Sequence, residues 1–164
     1  MMDTLFVFVE GNDDERFFNR YFQNAGINFK IIQYASMSKK EFTNYLKSVS
    51  DKNYIIQVDA DGVSIEKRKE KFATRHPVCD ISKIFITQQE IESWYIAGLK
   101  EDFLEKYKIK CLNNTDNLSK EGFEILIPRK YNLLNFKIEA LKFFDQETAK
   151  RRNTSFRMFA TIKY

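Results

Sequence analysis

The sequence is poor in several residue types that mark particular classes of protein. Its 164 residues include five glycines, two prolines, two cysteines and one histidine. So few glycines and prolines argue against long flexible linkers. The single histidine, His76, argues against a histidine-based zinc site and against a serine–histidine hydrolase site.

Other features that the sequence lacks help to predict the cellular compartment of the protein. Cys79 and Cys111 have neither a CxxC spacing nor a neighbouring histidine cluster, so we interpret both as reduced structural thiols of a cytoplasmic protein. There is no run of 18 or more apolar residues, which predicts that no helix crosses a membrane. The chain begins directly with a strand pattern, with neither a basic segment nor a cleavage site, and we therefore expect no secretion signal.

Two apolar segments that each end in acids and a glycine dominate what is present. Leu5–Val9 is followed by Glu10, and residues 54–58 are followed by Asp59 and Asp61. Continuous apolar runs of this length are typical of strands buried on both faces of a parallel sheet. If the strands are neighbours, their carboxyl ends meet at one edge. Three carboxylates at such short distances repel one another unless a cation lies among them. The pattern therefore predicts a divalent metal site.

Strand and helix patterns alternate along the first hundred residues, which predicts right-handed crossovers and an α/β fold. The expected sheet is four-stranded, mainly parallel and Rossmann-like, with helices on both faces and a helical C-terminal extension. The predicted strands cover residues 4–10, 29–34, 54–58 and 81–87. The predicted helices cover residues 13–24, 39–49, 66–75, 90–99, 100–107, 131–144 and 155–162, with a surface loop at 108–120.

The predicted organisation is an α/β core over residues 1–100 and an extension over 101–164 that packs on the same domain. From residue 129 onward there are nine basic and three acidic residues, a net charge of +6, against −2 for the rest of the chain. An acidic catalytic end with a basic C-terminal segment favours a polyanionic substrate. A solvated basic helix would explain the same charge pattern.

The acidic turns resemble the Toprim domain, which topoisomerases, bacterial primases, OLD-family nucleases and small ribosomal-RNA maturation nucleases share. The resemblance lies in Val9-Glu10-Gly11 and Asp59-Ala60-Asp61-Gly62, and covers about residues 4–100. Residues 87–98 and 151–156 are similar to segments of small stand-alone Toprim-like proteins related to OLD-family nucleases. Some of those proteins are found with phage-defence or mobile elements. The resemblance implies a Toprim-like fold.

The resemblance also implies roles for individual residues. Glu10 matches the Toprim glutamate, which acts as general acid/base or metal ligand. Asp59 and Asp61 match the two metal-binding aspartates, and all three residues are therefore catalytic candidates. Asp14 lies four residues after Glu10, where the nuclease branch has an acid that contributes to a second metal. Helix-dipole compensation in a first turn explains Asp14 equally well.

Further candidates lie later in the chain. Glu92, or as a second choice Glu90, could complete the second metal site, although a solvated helix face is an equal explanation for Glu92. Two ions of Mg²⁺ or Mn²⁺ could then stabilise the attacking and leaving oxygens of a phosphodiester. We expect Trp94 in the core and Ser155 as a helix N-cap. The candidates for binding the substrate phosphate are Lys130, Lys137, Arg151 and Arg152.

Three functions compete at this stage. The first is metal-dependent hydrolysis of DNA or RNA by a Toprim-type nuclease, which a role in phage defence or nucleic-acid processing would fit. The second is a non-catalytic nucleic-acid or protein-binding module that works with a separate ATPase partner. The third is a small-molecule phosphatase or phospho-acceptor receiver, which is weakened because haloacid-type phosphatases have an aspartate where this chain has Glu10. Topoisomerase and primase activities would need domains for which the chain has no room.

Overall fold

Four parallel strands and three helices form the first part of the chain. The computed structural model describes residues 3–163. The strands pair in the order β2-β1-β3-β4, which confirms the predicted α/β fold with a parallel sheet. The strands are β1 (Leu5–Val9), β2 (Phe29–Gln33), β3 (Tyr54–Asp59) and β4 (Ile84–Thr87). The helices are α1 (Asn12–Asn24), α2 (Lys39–Ser48) and α3 (Ile65–Arg75).

Burial explains the apolar runs of the two central strands. All six residues of β3 are buried, as are four of the five in β1. β1 lies beside β3, with Val7 opposite Ile55. Both strands run in the same direction, so their carboxyl ends finish at the same edge of the sheet.

The side chains of β1 alternate between the two faces of the sheet. Phe8 belongs to a core cluster that also contains Phe42 of α2 and Phe72 of α3, so these two helices cover one face. The β1-to-β2 crossover moves in the opposite direction along the sheet, and right-handed connections therefore place α1 on the other face. Phe17 and Phe18 of α1 are completely buried, as a helix packed on a sheet requires.

The chain divides into two compact units, one ending at Thr87 and the other beginning at Gln88. Residues 88–100, which the sequence analysis grouped with the α/β core, therefore belong with the C-terminal helices. The second unit is helical, as predicted. Its helices are α4 (Glu92–Ala97), α5 (Glu101–Lys106), α6 (Lys120–Leu126), α7 (Leu133–Lys142), α8 (Gln146–Arg152) and α9 (Thr154–Phe159).

The structure differs from the predicted elements in a few places. Helices α6 and α8 were not predicted, although Asp145 caps α8 by accepting the Thr148 backbone N–H at 2.8 Å. β4 begins at Ile84 rather than residue 81, because Asp80 accepts the Ser82 backbone N–H at 2.9 Å and starts a short 3₁₀ turn. Such side-chain caps compete locally with strand geometry.

A buried hydrogen-bond network links the start and the end of the second unit. Trp94 is 1% exposed, which confirms its predicted place in the core. Its indole N–H donates to Ser155 Oγ at 2.9 Å. The expected role of Ser155 as helix N-cap is wrong, because Asn153 caps α9 by accepting the Phe156 backbone N–H at 2.9 Å. No helix among residues 3–163 has the length and apolar character needed to span a membrane.

Candidate functional site

The two acidic turns lie side by side at the carboxyl edge of the sheet. Glu10 Oε1 is 3.4 Å from the backbone nitrogen of Asp59, although 49 residues separate them in the chain. Asp59 is the last residue of β3 and is 9% exposed. The sheet register therefore brings these two predicted site residues together, as expected from the parallel strands.

Asp14 contributes a third acid from the first turn of α1. Its Oδ2 accepts the backbone N–H of Gly11 at 3.0 Å, and the residue is 4% exposed. Gly11 is the N-cap of α1, and its φ of −147° is one that any residue can adopt. The negative charge of Asp14 also acts on Asp59. Asp14 therefore has a structural role as well as a place in the acidic cluster.

Arg68 of α3 lies among these acids. Its Nε donates to the backbone carbonyl of Asp59 at 2.7 Å, and its Nη2 lies 3.1 Å from Asp61 Oδ2. The same nitrogen is 3.7 Å from Glu10 Oε1. A guanidinium thus supplies the positive charge that the sequence analysis assigned to a metal ion.

Asp61 has an unusual backbone conformation. Its φ is +51°, in the left-handed region that glycine adopts most readily and that few other residues besides asparagine and aspartate tolerate. Gly62, the next residue, also has a positive φ of +75°. The turn places the Asp61 carboxylate beside Arg68, whose Nη2 donates to it at 3.1 Å.

Ionisation of Asp59 and Glu10 is unfavourable in this environment. Burial raises the pKa of Asp59 well above its ordinary value, and the negative charges of Asp14 and Glu10 raise it further. Burial also raises the pKa of Glu10, although a hydrogen bond from Tyr34 opposes that rise. The carboxylates would therefore gain from a further cation beside them.

Gln57 holds Asp59 in place from within β3. Its Nε2 donates to Asp59 Oδ1 at 2.8 Å and to Thr87 Oγ1 at 2.8 Å. Its Oε1 is buried and accepts no hydrogen bond from residues 3–163. A buried polar atom without a partner costs free energy, which makes this oxygen a candidate acceptor for a bound group.

The acidic cluster suits a hard divalent cation in the type of its donor atoms, which are all oxygens. In the part of the chain that the structure describes, no three acidic, histidine or cysteine side chains lie close enough together to hold one ion. Arg68 lies between Glu10 and Asp61 instead. The donor atoms therefore suit a metal in chemistry, but binding would require the carboxylates to move closer together and Arg68 to give up these contacts.

Glu92 and Lys137 form a buried pair within the second unit. Lys137 Nζ lies 2.8 Å from Glu92 Oε1, and the side chains are 8% and 3% exposed. The alternative of a solvated helix face for Glu92 is therefore wrong. The pairing gives both residues a structural role that accounts for their burial. Glu90 Oε2 accepts the Lys120 backbone N–H at 2.7 Å, at the start of α6.

The other predicted phosphate-binding residues also lie in the second unit. Arg152 donates to the Leu99 carbonyl and is partly buried. Arg151 is exposed and donates to Thr148 Oγ1 at 3.2 Å. Lys130 is exposed, with its Nζ 4.9 Å from the centre of the Tyr131 ring. Arg151 and Lys130 thus remain accessible to a ligand, whereas Lys137 is enclosed.

A basic cleft beside Glu10 was not predicted. It is a cavity of about 270 Å³ whose lining includes four cationic side chains and His76. Three of the cations, Arg68, Lys71 and Arg75, recur at i, i+3 and i+7 along α3 and therefore share one face of the helix. That spacing is visible in the sequence and could have predicted a basic face on this helix. The charged lining residues are Glu10, Lys39, Arg68, Lys71 and Arg75.

Comparison with protein-family models, with curated proteins and with solved structures found no match in any of the three.

Proposed function

We propose that this protein hydrolyses phosphodiester bonds of nucleic acid with the help of a divalent metal, as Toprim-type nucleases do. The supporting observation is that Glu10 and Asp59 lie side by side at the ends of adjacent parallel strands, with Asp61 in the turn that follows and the charges of Asp14, Glu10 and Asp61 acting on Asp59. Burial and mutual repulsion raise the pKa values of Glu10 and Asp59. Such an arrangement is costly to maintain and is typical of catalytic or cation-binding sites.

The proposed ligands for Mg²⁺ or Mn²⁺ are Glu10, Asp59 and Asp61, with Asp14 available for a second ion. When bound, the metal would supply positive charge to the phosphate oxygens and lower the pKa of a water molecule. Gln57 orients the carboxylate of Asp59 through its 2.8 Å hydrogen bond.

Glu10 is the proposed general acid/base. The Tyr34 hydroxyl, with one proton to donate, lies 3.0 Å from Glu10 Oε1 and 3.2 Å from the Gln57 carbonyl oxygen, and donation to Glu10 fixes the orientation of the acid. Burial raises the pKa of Tyr34 well above its ordinary value, so the phenol keeps its proton for this bond. The raised pKa of Glu10 brings it nearer to neutral pH, where proton transfer by a carboxylic acid is more effective.

Arg68 is the proposed source of positive charge for the substrate phosphate. It lies beside Glu10 and Asp61, and a guanidinium binds phosphate as well as carboxylate.

The proposal includes a role in phage defence or nucleic-acid processing and a separate ATPase as partner. It also includes a cytoplasmic location, which the free thiols of Cys79 and Cys111 fit.

A specific observation favours the second candidate function, a non-catalytic nucleic-acid or protein-binding module. Arg68 already neutralises the acids, and no group of three ligands forms among the described residues. In such a module the guanidinium would take the place of the metal permanently, and the acidic cluster would serve only to position it.

A cleavage assay separates the two candidates. The protein is incubated with labelled single-stranded DNA, duplex DNA and RNA, each with Mg²⁺, with Mn²⁺ and with EDTA. The test variant is Asp59→Asn/Asp61→Asn. The control is Asp51→Asn/Asp102→Asn, which removes two exposed carboxylates elsewhere.

Metal-dependent cleavage by the wild type and the control, but not by the test variant, is the expected result. Cleavage by wild type no greater than by the test variant would refute the proposal. Salt-dependent binding without cleavage would then support the binding module.

A further inference from the structure

The basic cleft lies between the start of α2 and one face of α3. Lys39 is the first residue of α2, and Lys71 and Arg75 lie one turn apart on α3. These three residues are exposed and form no ion pair with any acid among residues 3–163. Uncompensated like charges around one cavity repel each other, and an anion would relieve that repulsion.

His76 forms part of the wall at the end of α3. The residue is 7% exposed and its Nδ1 has no hydrogen-bond partner within the described chain. Its ring packs against Phe72 and Phe42, with ring centres 4.7 and 5.0 Å apart. A buried ring nitrogen without a partner, in a residue that lines the same cavity, is an observation that is independent of the charge pattern and points to a binding site.

The chemistry of the lining selects the class of ligand. Two lysines and one arginine supply several N–H donors to a single anion, and Arg68 lines the cleft at the Glu10 side. A phosphate group offers several acceptor oxygens and up to two negative charges, which matches this set better than a carboxylate does. The cavity of about 270 Å³ has room for more than the phosphate alone.

We propose that the basic cleft binds a nucleotide phosphate, held by Lys39, Lys71 and Arg75, so that the adjoining phosphodiester of the strand lies at Glu10. The position of this phosphate relative to the cleaved bond rests on the proposed function, whereas the binding of the phosphate in the cleft does not. Two sources share this chemistry: the terminal phosphate of a strand and an internal phosphate.

Binding is measured in EDTA, so that its outcome does not depend on catalysis. The probes are fluorescent single-stranded oligonucleotides of identical sequence with a 5′-phosphate or a 5′-hydroxyl, followed by anisotropy. The test variant is Lys39→Ala/Lys71→Ala and the control is Lys40→Ala/Lys67→Ala. Each removes one exposed lysine from α2 and one from α3, so the net charge is matched.

We expect the test variant to weaken binding about tenfold or more, the loss that corresponds to about 1.4 kcal/mol. The control should weaken binding much less. If only the 5′-phosphorylated strand loses affinity in the test variant, the source is a terminal phosphate. If both strands lose affinity, it is an internal phosphate. Equal weakening in test variant and control would overturn the proposal, since the effect would then be one of overall charge.

His76 provides a second readout, since the chain has no other histidine. Burial lowers the pKa of His76 in the free protein, and the positive charges of Arg75 and Lys39 lower it further. Nuclear magnetic resonance titration should show this pKa rise when a nucleoside monophosphate is added to the wild type, because the phosphate favours the imidazolium. An unchanged pKa at saturating nucleotide would contradict the proposal.

The two proposals can fail separately. Binding that depends on Lys39 and Lys71 without any cleavage supports the cleft and removes the nuclease. Metal-dependent cleavage with identical binding by test variant and control supports the nuclease and removes the cleft.

Discussion

Arg68 Nη2 lies 3.1 Å from Asp61 Oδ2, so that α3 is tied to the turn that follows β3. This hydrogen bond places the guanidinium of Arg68, which is always charged, in the acidic cluster for which the sequence predicts a metal site. Because Arg68 also lines the basic cleft, it can exchange partners between carboxylate and phosphate. A phosphate that draws Arg68 away would free carboxylate oxygens for a metal, so the two ligands should bind with positive coupling.

Replacing Arg68 should alter metal affinity. In Arg68→Ala the competing positive charge is gone, so Mn²⁺ should bind the protein more tightly in the absence of nucleic acid. We expect a gain of about tenfold, since a charge pair near the surface is worth at most a few kcal/mol and this one is partly solvated. Electron paramagnetic resonance of free Mn²⁺ measures the affinity, with Lys67→Ala as a control on the same helix. An unchanged affinity would show that Arg68 and the metal do not compete.

Asp61→Asn should separate charge from backbone conformation. Asparagine tolerates the φ of +51° at this position as well as aspartate does. We therefore expect the free energy of unfolding to stay within about 0.5 kcal/mol of wild type, while Mn²⁺ binding and cleavage are lost. Asp61→Ala should in addition lose about 1 kcal/mol, because alanine is disfavoured in the left-handed region. Urea unfolding and Mn²⁺ titration test both statements, and full cleavage by Asp61→Asn would exclude a role for its charge.

The acidic cluster should make the metal-free protein pH-sensitive. The pKa values of Asp59 and Glu10 are raised in the folded state. At a pH between the ordinary carboxyl pKa and these raised values, the folded protein therefore binds more protons than the unfolded chain does. Their stabilising contribution is fully present below the ordinary carboxyl pKa and is lost as the pH rises through the raised values. In EDTA, Asp59→Asn should therefore be more stable than wild type at pH 7.5, because it removes a buried charge that its neighbours repel.

Urea unfolding at pH 5 and pH 7.5, with and without Mn²⁺, measures this effect. The exposed-site variant Asp51→Asn should behave like wild type at both pH values. Adding Mn²⁺ at pH 7.5 should restore the stability of wild type more than that of Asp59→Asn. A destabilised Asp59→Asn protein in EDTA at pH 7.5 would contradict the repulsion on which the proposed metal site depends.

The Glu92–Lys137 pair allows a test of the predicted metal role of Glu92. Glu92→Gln alone should destabilise the protein by about 3–5 kcal/mol, because it leaves the buried Lys137 ammonium without a counter-charge. The double variant Glu92→Leu/Lys137→Met replaces the pair with apolar groups of similar size and should be close to wild type in stability. If Glu92 is only structural, the double variant should keep full Mn²⁺-dependent activity. Loss of activity in a stable double variant would restore a functional role for the pair, and weaker Mn²⁺ binding by that variant would assign the role to Glu92 as a metal ligand.

Local patterns were enough to predict much of the first unit. The apolar runs of β1 and β3 report burial on both faces of a sheet, and the acids after each run mark the strand ends. Because parallel strands align their carboxyl ends, the closeness of Glu10 and Asp59 followed from those patterns on the condition that β1 and β3 are neighbours, and the sheet order shows that they are. The cap of α8 by Asp145 was equally local and could have been recognised.

Partnerships between distant side chains were decided by packing alone. The sequence marks Arg68, Lys71 and Arg75 as one charged helix face, but only the position of α3 beside β3 turns that face towards Glu10 and Asp61. The sequence likewise contains Glu92 and Lys137 45 residues apart, and only the folded helices bury them as a pair. Periodicity encodes which side of an element is buried, whereas the choice of ionic partner depends on distances that exist only after the elements have packed.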